Sequence, residues 1–208
     1  MKIGFFAVNE PHISMARSLI ASVHKAMPGV ELWHLADGDC QTLPEVTGTH
    51  RCHGDMPMAI RRMSLQASLE GEWLFVDTDI LIRKDVRHIF DTRFDVALTD
   101  RIGTQMQGTP YGSIMPYNLG VAFSTSRLFW AGVRSLLYTL PQKFQKWEGD
   151  QRVICDMMTV NHRFGFDIKV LPGRIYNYPP VTENDPKIAE ASIVHYKGAR
   201  KEWIAKAA

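Results

Sequence analysis

The sequence predicts an α/β protein built on a sheet that is mostly parallel in its first half. Three observations support this. Short apolar runs alternate with amphipathic segments over the first hundred residues, the pattern of strand–helix–strand units. The run Trp-Leu-Phe-Val-Asp-Thr-Asp-Ile-Leu-Ile at 73–82 is apolar, aromatic or β-branched except at Asp77 and Asp79 and suits a buried central strand. No repeat, low-complexity tract or long linker divides the chain, so residues 1–208 are expected to form a single domain.

Residues 2–8 read as the first strand. Residues 11–27 follow as a helix, with Ile13, Ala16, Leu19, Ile20 and Val23 at helical spacing. Pro28-Gly29 breaks it, and 29–37 return to strand. Residues 55–71 read as a helix that Gly71 could end, and 72–82 as the third strand. A fourth strand covers 94–100. Residues 103–116 are rich in Gly, Thr and Pro without periodicity and read as a loop. Strand 117–125, helices 127–140 and 149–161, and short strands at 166–173 and 192–198 complete the chain. Sheets of this kind bind ligands outside the carboxyl ends of their strands.

Composition narrows the function. The 208 residues are 45% hydrophobic and 22% charged, ordinary for a globular protein. The net charge of +2 gives no electrostatic case for nucleic-acid binding. Three scattered cysteines, Cys40, Cys52 and Cys155, argue against a disulfide framework and for a reducing compartment. The N-terminal apolar run is too short for a signal peptide, and no apolar stretch reaches the length of a membrane span, so the expected location is the cytoplasm.

Two acids at the end of an apolar strand need an explanation, because a buried charge is costly unless paired or metal-bound. Residues i and i+2 of a strand point the same way. Asp77 and Asp79 can therefore face one ligand together if the strand stays extended. Mn²⁺ and Mg²⁺ are held by such carboxylates together with substrate phosphates. The alternative is a strand-end turn whose acids cap backbone N–H groups. The run 195–203, His-Tyr-Lys-Gly-Ala-Arg-Lys-Glu-Trp, favours the metal reading. It offers a histidine ligand in His195, and a glycine flanked by cations where a phosphate could approach.

Together these residues resemble a known family. Asp77-Thr78-Asp79 after an apolar strand resembles the DxD motif of GT-A glycosyltransferases. The 195–203 run resembles the HxxGxxKPW motif of the glycogenin and lipopolysaccharide-galactosyltransferase family (glycosyltransferase family 8-like), with Glu202 where the family has Pro. Asn118-Leu119-Gly120 resembles its N-x-G strand, Asp150-Gln151 its DQ pair, and Leu171-Pro172 with Tyr176-Asn177 its LP…YN segment. The matches keep the family's order across almost the whole chain.

The resemblance implies a GT-A fold, a Rossmann-like mixed sheet flanked by helices. It also implies transfer of a sugar from a nucleoside diphosphate sugar, a UDP-sugar by preference, with retention. Asp77, Asp79 and His195 would hold Mn²⁺ (or Mg²⁺). Thr78, Gly198 and Lys201 would lie on the donor diphosphate side. Asn118 and Gly120 would line the sugar pocket, with Asp150, Gln151 and Asn118 as the catalytic set. A basic residue on the preceding helix is either Arg61 or Arg62. Asp100 would bind sugar hydroxyls or serve as a turn acid. The nucleobase is expected near Ala7, Val8, Asn9 and Asp37, with a helix N-cap as the competing role for Asn9. A cap also competes for Asp150.

The chemistry is consistent with that set. The leaving diphosphate gathers negative charge, which a metal and Lys201 would stabilise. The anomeric carbon becomes oxocarbenium-like, and Asp150 or Gln151 could stabilise it. Trp33, Trp73, Phe75, Phe129, Trp130 and Trp147 read mostly as core. Tyr111 and Tyr117 are candidate sugar platforms, and 103–115 is either a loop that closes over the donor or a passive surface loop.

The acceptor could be a glycan, a lipid-linked sugar, a protein or a small molecule. A lipid-linked acceptor would bring the chain to a membrane surface, although no amphipathic basic helix stands out for that contact. A nucleotide-sugar-binding domain without turnover and a sugar-nucleotide hydrolase remain alternatives. A nucleotidyltransferase is disfavoured, because no glycine-rich phosphate loop follows the first strand.

Overall fold

The computed structural model describes residues 1–101, 115–145, 148–159 and 165–208. The loop expected at 103–115 lies outside them save for its last residue, and so do Tyr111 and Trp147. Nine strands are described: β1 (Lys2–Phe6), β2 (Glu31–Asp37), β3 (Gly48–Cys52), β4 (Trp73–Val76), β5 (Ile80–Ile82), β6 (Val96–Asp100), β7 (Tyr117–Ser124), β8 (Ile168–Leu171) and β9 (Ile193–His195). Four longer helices accompany them: α1 (Glu10–Ala26), α2 (Met58–Ser68), α3 (Arg127–Thr139) and α4 (Gly149–Thr159).

Seven strands form one mixed sheet in the order β3-β2-β1-β4-β7-β6-β8. The β3, β2, β1 and β4 half is parallel, as the strand–helix alternation predicts. β7 runs antiparallel between β4 and β6. Period-two alternation assigns the faces. Ile3, Phe5, Leu74, Val76, Val121 and Phe123 pack with α1 through Ile13, Leu19 and Val23. Trp73, Phe75, Val96, Leu98 and Ala122 pack on the other face with α2, α3 and α4. Phe129 and Trp130 of α3 are buried there beside Phe75, as the core reading of the aromatics requires, whereas Trp33 is half-buried.

The expected third strand is not continuous. β4 ends at Val76, the chain turns through Asp77–Asp79, and β5 joins a separate two-stranded sheet with β9. Continuing straight would keep both carboxylates between β1 and β7 in an apolar sheet, at the desolvation cost of unpaired buried charge. The turn takes them to the sheet's edge instead. A common extended face is therefore not what brings Asp77 and Asp79 together.

The sequence also gives no sign of β3. None of its residues is fully buried, and as an edge strand it has no apolar alternation. It is held from the side. Gly48 lies under the Trp33 ring, where a Cβ would meet Cζ3 at 2.5 Å. His50 stacks on the same ring at 4.7 Å.

Candidate metal centre and cleft

The antiparallel pairing of β5 with β9 sets Ile80 opposite His195. Tyr196 N–H donates to Asp79 O at 2.8 Å, closing the corner. Two segments more than a hundred residues apart thus meet at the turn. His195 Nε2 lies 3.0 Å from Asp79 Oδ1 and 3.8 Å from Asp77 Oδ2. One ligand atom from each of the three residues fits within a span of 4.8 Å. Lys201 Nζ lies 3.2 Å from the other Asp79 oxygen.

Charge is managed closely here. Burial opposes ionisation of Asp79, but His195 and Lys201 outweigh it and hold the carboxyl well below the usual range. Burial draws His195 below the ordinary imidazole range more than Asp79 draws it up. A neutral imidazole and two carboxylates form a nitrogen–oxygen donor set suited to Mn²⁺ and acceptable to Mg²⁺. Burial also pushes the Lys197 ammonium down to about 7, with Arg101 acting in the same direction.

The two arginines of α2 separate cleanly. Arg62 donates to Asp77 Oδ1 at 2.9 Å and to Leu119 O at 2.7 Å, and it lines the cleft. Arg61 pairs with Asp37 Oδ2 at 3.1 Å, towards the ends of β2 and β3. Ala7 is buried at the end of β1. Its carbonyl accepts from His34 Nε2 at 2.8 Å. Asn9 caps α1, its Oδ1 accepting from His12 N at 3.2 Å, and Val8 lies half-buried between them.

The cleft is lined by Asp77, Thr78, Asp79, Asn118, Gly120, Asp150, Gln151 and Lys201 of the expected set. Asp100 stands apart. Its Oδ1 accepts from Gly173 N at 2.8 Å, the turn-acid arrangement. Gly198 opens the final 3-10 turn with φ of +62°, a backbone conformation that L side chains rarely adopt. Tyr117 packs against the core on the side of α2 and α3 and is not among the cleft-lining residues.

Asp150 lies in the first turn of α4, its Oδ1 accepting from Gln151 N at 2.8 Å. Burial raises its carboxyl, and Arg62 opposes the rise. Gln151 Oε1 accepts from Arg101 and lies 3.4 Å from Asn118 Nδ2. The carbonyl end of the Gln151 amide is thereby engaged, and its NH₂ end has no partner among the described residues.

Gly120 is required by packing. A Cβ there would meet His195 Cε1 at 2.2 Å and Asn118 Oδ1 at 2.8 Å. The sequence marks Asn177 only as part of the Tyr176-Asn177 pair, yet it is buried between Thr99, Asn118 and His195 and bonds to all three. The sequence marks His12 only as a helix residue. It lines the cleft near Asp79 and Lys201, and its Nδ1 is buried without a partner among the described residues. The available signal was its position in the first turn after β1, at the carboxyl end of a parallel strand.

No protein-family model matches the chain, and no curated protein matches it. Solved structures do. The galactosyltransferase LgtC, solved with donor and acceptor sugar analogues, superposes with a TM-score of 0.63 at 14% identity, covering 99% of this chain and 96% of that one. A glycosyltransferase involved in glycosylation of the major capsid of PBCV-1 gives 0.63 at 18% identity, covering 99% and 98%. The glycosyltransferase GlyE of Streptococcus pneumoniae TIGR4 gives 0.64 at 17% identity, over 97% of this chain and 55% of that one. The chain has the GT-A glycosyltransferase fold, and in that fold it resembles LgtC.

Proposed function

We propose that this chain is a single-domain glycosyltransferase. It takes a sugar from a nucleoside diphosphate sugar, specifically a UDP-sugar, and passes it with retention to a glycan hydroxyl, using Mn²⁺ or Mg²⁺. The observation that carries this reading is the convergence of Asp77, Asp79 and His195 beside Lys201 in a cleft at the strand ends.

In this reading Asp77, Asp79 and His195 hold the cation, which supplies Lewis-acid stabilisation to the departing diphosphate. Lys201 adds a cation on the same side, and Gly198 leaves backbone room for a phosphate. Arg62 orients Asp77 and faces the cleft. The nucleobase takes the end of β1 and β2, with Ala7, Val8, Asn9, Asp37 and Arg61 around it. Asn118 and Gly120 border the sugar. Asp150, buried beside Arg62, is the group nearest in kind to a stabiliser of developing positive charge on the anomeric carbon. The Gln151 NH₂ donates to a sugar oxygen. A glycan acceptor is proposed by likeness to LgtC, which was solved with an acceptor sugar analogue.

The test is release of the free nucleotide from a panel of UDP-sugars with Mn²⁺, with and without glycan acceptors. Acceptor-stimulated release supports transfer. Equal release with and without acceptor identifies a hydrolase. Binding of donor and metal without any release identifies a binding domain.

A further inference from the structure

Asn177 is 1% exposed, and its orientation is determined by its neighbours. The Gly120 N–H can only donate, and it donates to Asn118 Oδ1 at 3.0 Å. That oxygen is an acceptor, so the Asn177 atom 2.8 Å away must be the NH₂ nitrogen. The second hydrogen of this NH₂ goes to Thr99 Oγ1 at 2.7 Å, and the Thr99 hydroxyl donates onward to Asn118 O at 3.1 Å. Asn177 Oδ1 is what remains. It can only accept, and it lies 2.8 Å from His195 Nδ1. Nδ1 therefore carries a hydrogen. Nε2 is the other ring nitrogen, the one that faces Asp79 and Asp77 and is placed to ligate a cation.

We propose that Asn177 is a positioning residue for the metal centre: its amide carries the orientation fixed at Gly120 across to His195 and holds a hydrogen on the imidazole Nδ1, with Nε2 turned to Asp77 and Asp79. The role of the cation rests on the proposed function, whereas the Nδ1 hydrogen does not. Metal-ligating histidines depend on such partners for ring orientation and basicity. Here the partner is a neutral amide whose own direction is dictated by a backbone N–H two residues along β7 from Asn118. The relay also ties the metal side of the cleft to Gln151, because Asn118 Nδ2 is the atom directed at Gln151 Oε1.

The experiment uses the full chain, stripped of metal and labelled with nitrogen-15 at histidine. The His195 ring is assigned by the loss of its signals in His195→Gln. Long-range proton–nitrogen NMR is expected to show a proton on Nδ1. A bare Nδ1 overturns the proposal. Mn²⁺ binding is then followed by the electron paramagnetic resonance of the free ion. Asn177→Leu removes the acceptor and is expected to weaken Mn²⁺ binding by about 10–100-fold. Asn177→Asp restores an acceptor, so it is expected to keep Nδ1–H and bind Mn²⁺ more tightly than the Leu variant. A Leu variant with wild-type affinity overturns the proposal. If Asn177→Leu does not fold, the presence of the Nδ1 proton in wild type and in Asn177→Asp decides. A wild-type chain that binds no Mn²⁺ defeats the metal-dependent reading, and the Nδ1 proton still decides whether Asn177 orients the ring.

Discussion

Gly120→Ala tests how closely the metal centre depends on packing. A Cβ at this position would come within 2.2 Å of His195 Cε1, against about 3.4 Å for ordinary contact, so the ring must retreat by about 1.2 Å. Asn118 Oδ1, at 2.8 Å from the new atom, blocks one direction of relaxation. Overpacking of this kind costs about 1–3 kcal/mol of stability. The effect on the site is larger than on the fold. Metal–ligand distances tolerate deviations of only about 0.2 Å, so a retreat of this size would remove His195 from the proposed ligand set. The expected result is a folded protein with a lower melting temperature whose Mn²⁺ affinity falls by about 100-fold or more, beyond a typical loss from an outer partner. Gly132→Ala is the matched control. It lies in α3 with its nearest neighbour, Met157 Cε, 3.6 Å from the new Cβ. It should gain about 0.5–1 kcal/mol from helix propensity and leave metal binding unchanged. Calorimetric melting and Mn²⁺ titration read both. A Gly120→Ala protein that melts and binds Mn²⁺ as the wild type does would refute the reasoning.

Other predictions follow from the charged groups. Arg62→Lys cannot reach both Asp77 Oδ1 and Leu119 O with one planar fork, so it should weaken UDP binding in the presence of Mn²⁺, whereas Arg62→Lys and wild type should melt within a few degrees of each other. Arg61→Lys should loosen the pairing with Asp37 and leave Mn²⁺ affinity unchanged, because Arg61 does not contact the triad in the described hydrogen bonds. Burial would raise the Asp185 carboxyl, but hydrogen bonds from Tyr178 Oη, Val181 N and Lys187 N outweigh it and hold it below the usual range. A depressed carboxyl stabilises the fold fully above its unfolded value of about 3.9 and loses that contribution as pH falls through the folded value. Urea unfolding should therefore show Asp185→Asn destabilised at pH 7, with the gap to wild type closing below about pH 4. A constant gap would count against this assignment.

The parallel half of the sheet was legible because its strands and helices carry clean periods, as in Ile13, Ala16, Leu19 and Val23 of α1. The continuous strand 72–82 was misread for the same reason. Its apolar pattern runs through Asp77 and Asp79, and only the partner strand β9 shows that the last three residues belong to another sheet. β3 was invisible because its register comes from Trp33 and His50, not from its own hydrophobicity. The candidate triad Asp77, Asp79 and His195 could be named from motif and chemistry together, and the structure brings its three residues to one place. The choice between Arg61 and Arg62 could not, since adjacent helical residues differ by only about 100° in direction and the structure alone shows which faces Asp77. Asn177 and His12 were missed because their roles arise from contacts between distant segments.

The central claim is that Asp77 and Asp79 hold a cation against a nucleoside diphosphate. The most direct test is calorimetric titration of UDP into the protein with and without Mn²⁺, repeated with Asp79→Ala. The account predicts binding that requires Mn²⁺ and is lost in the variant. UDP binding that is indifferent to Mn²⁺, or that survives Asp79→Ala unchanged, would contradict it.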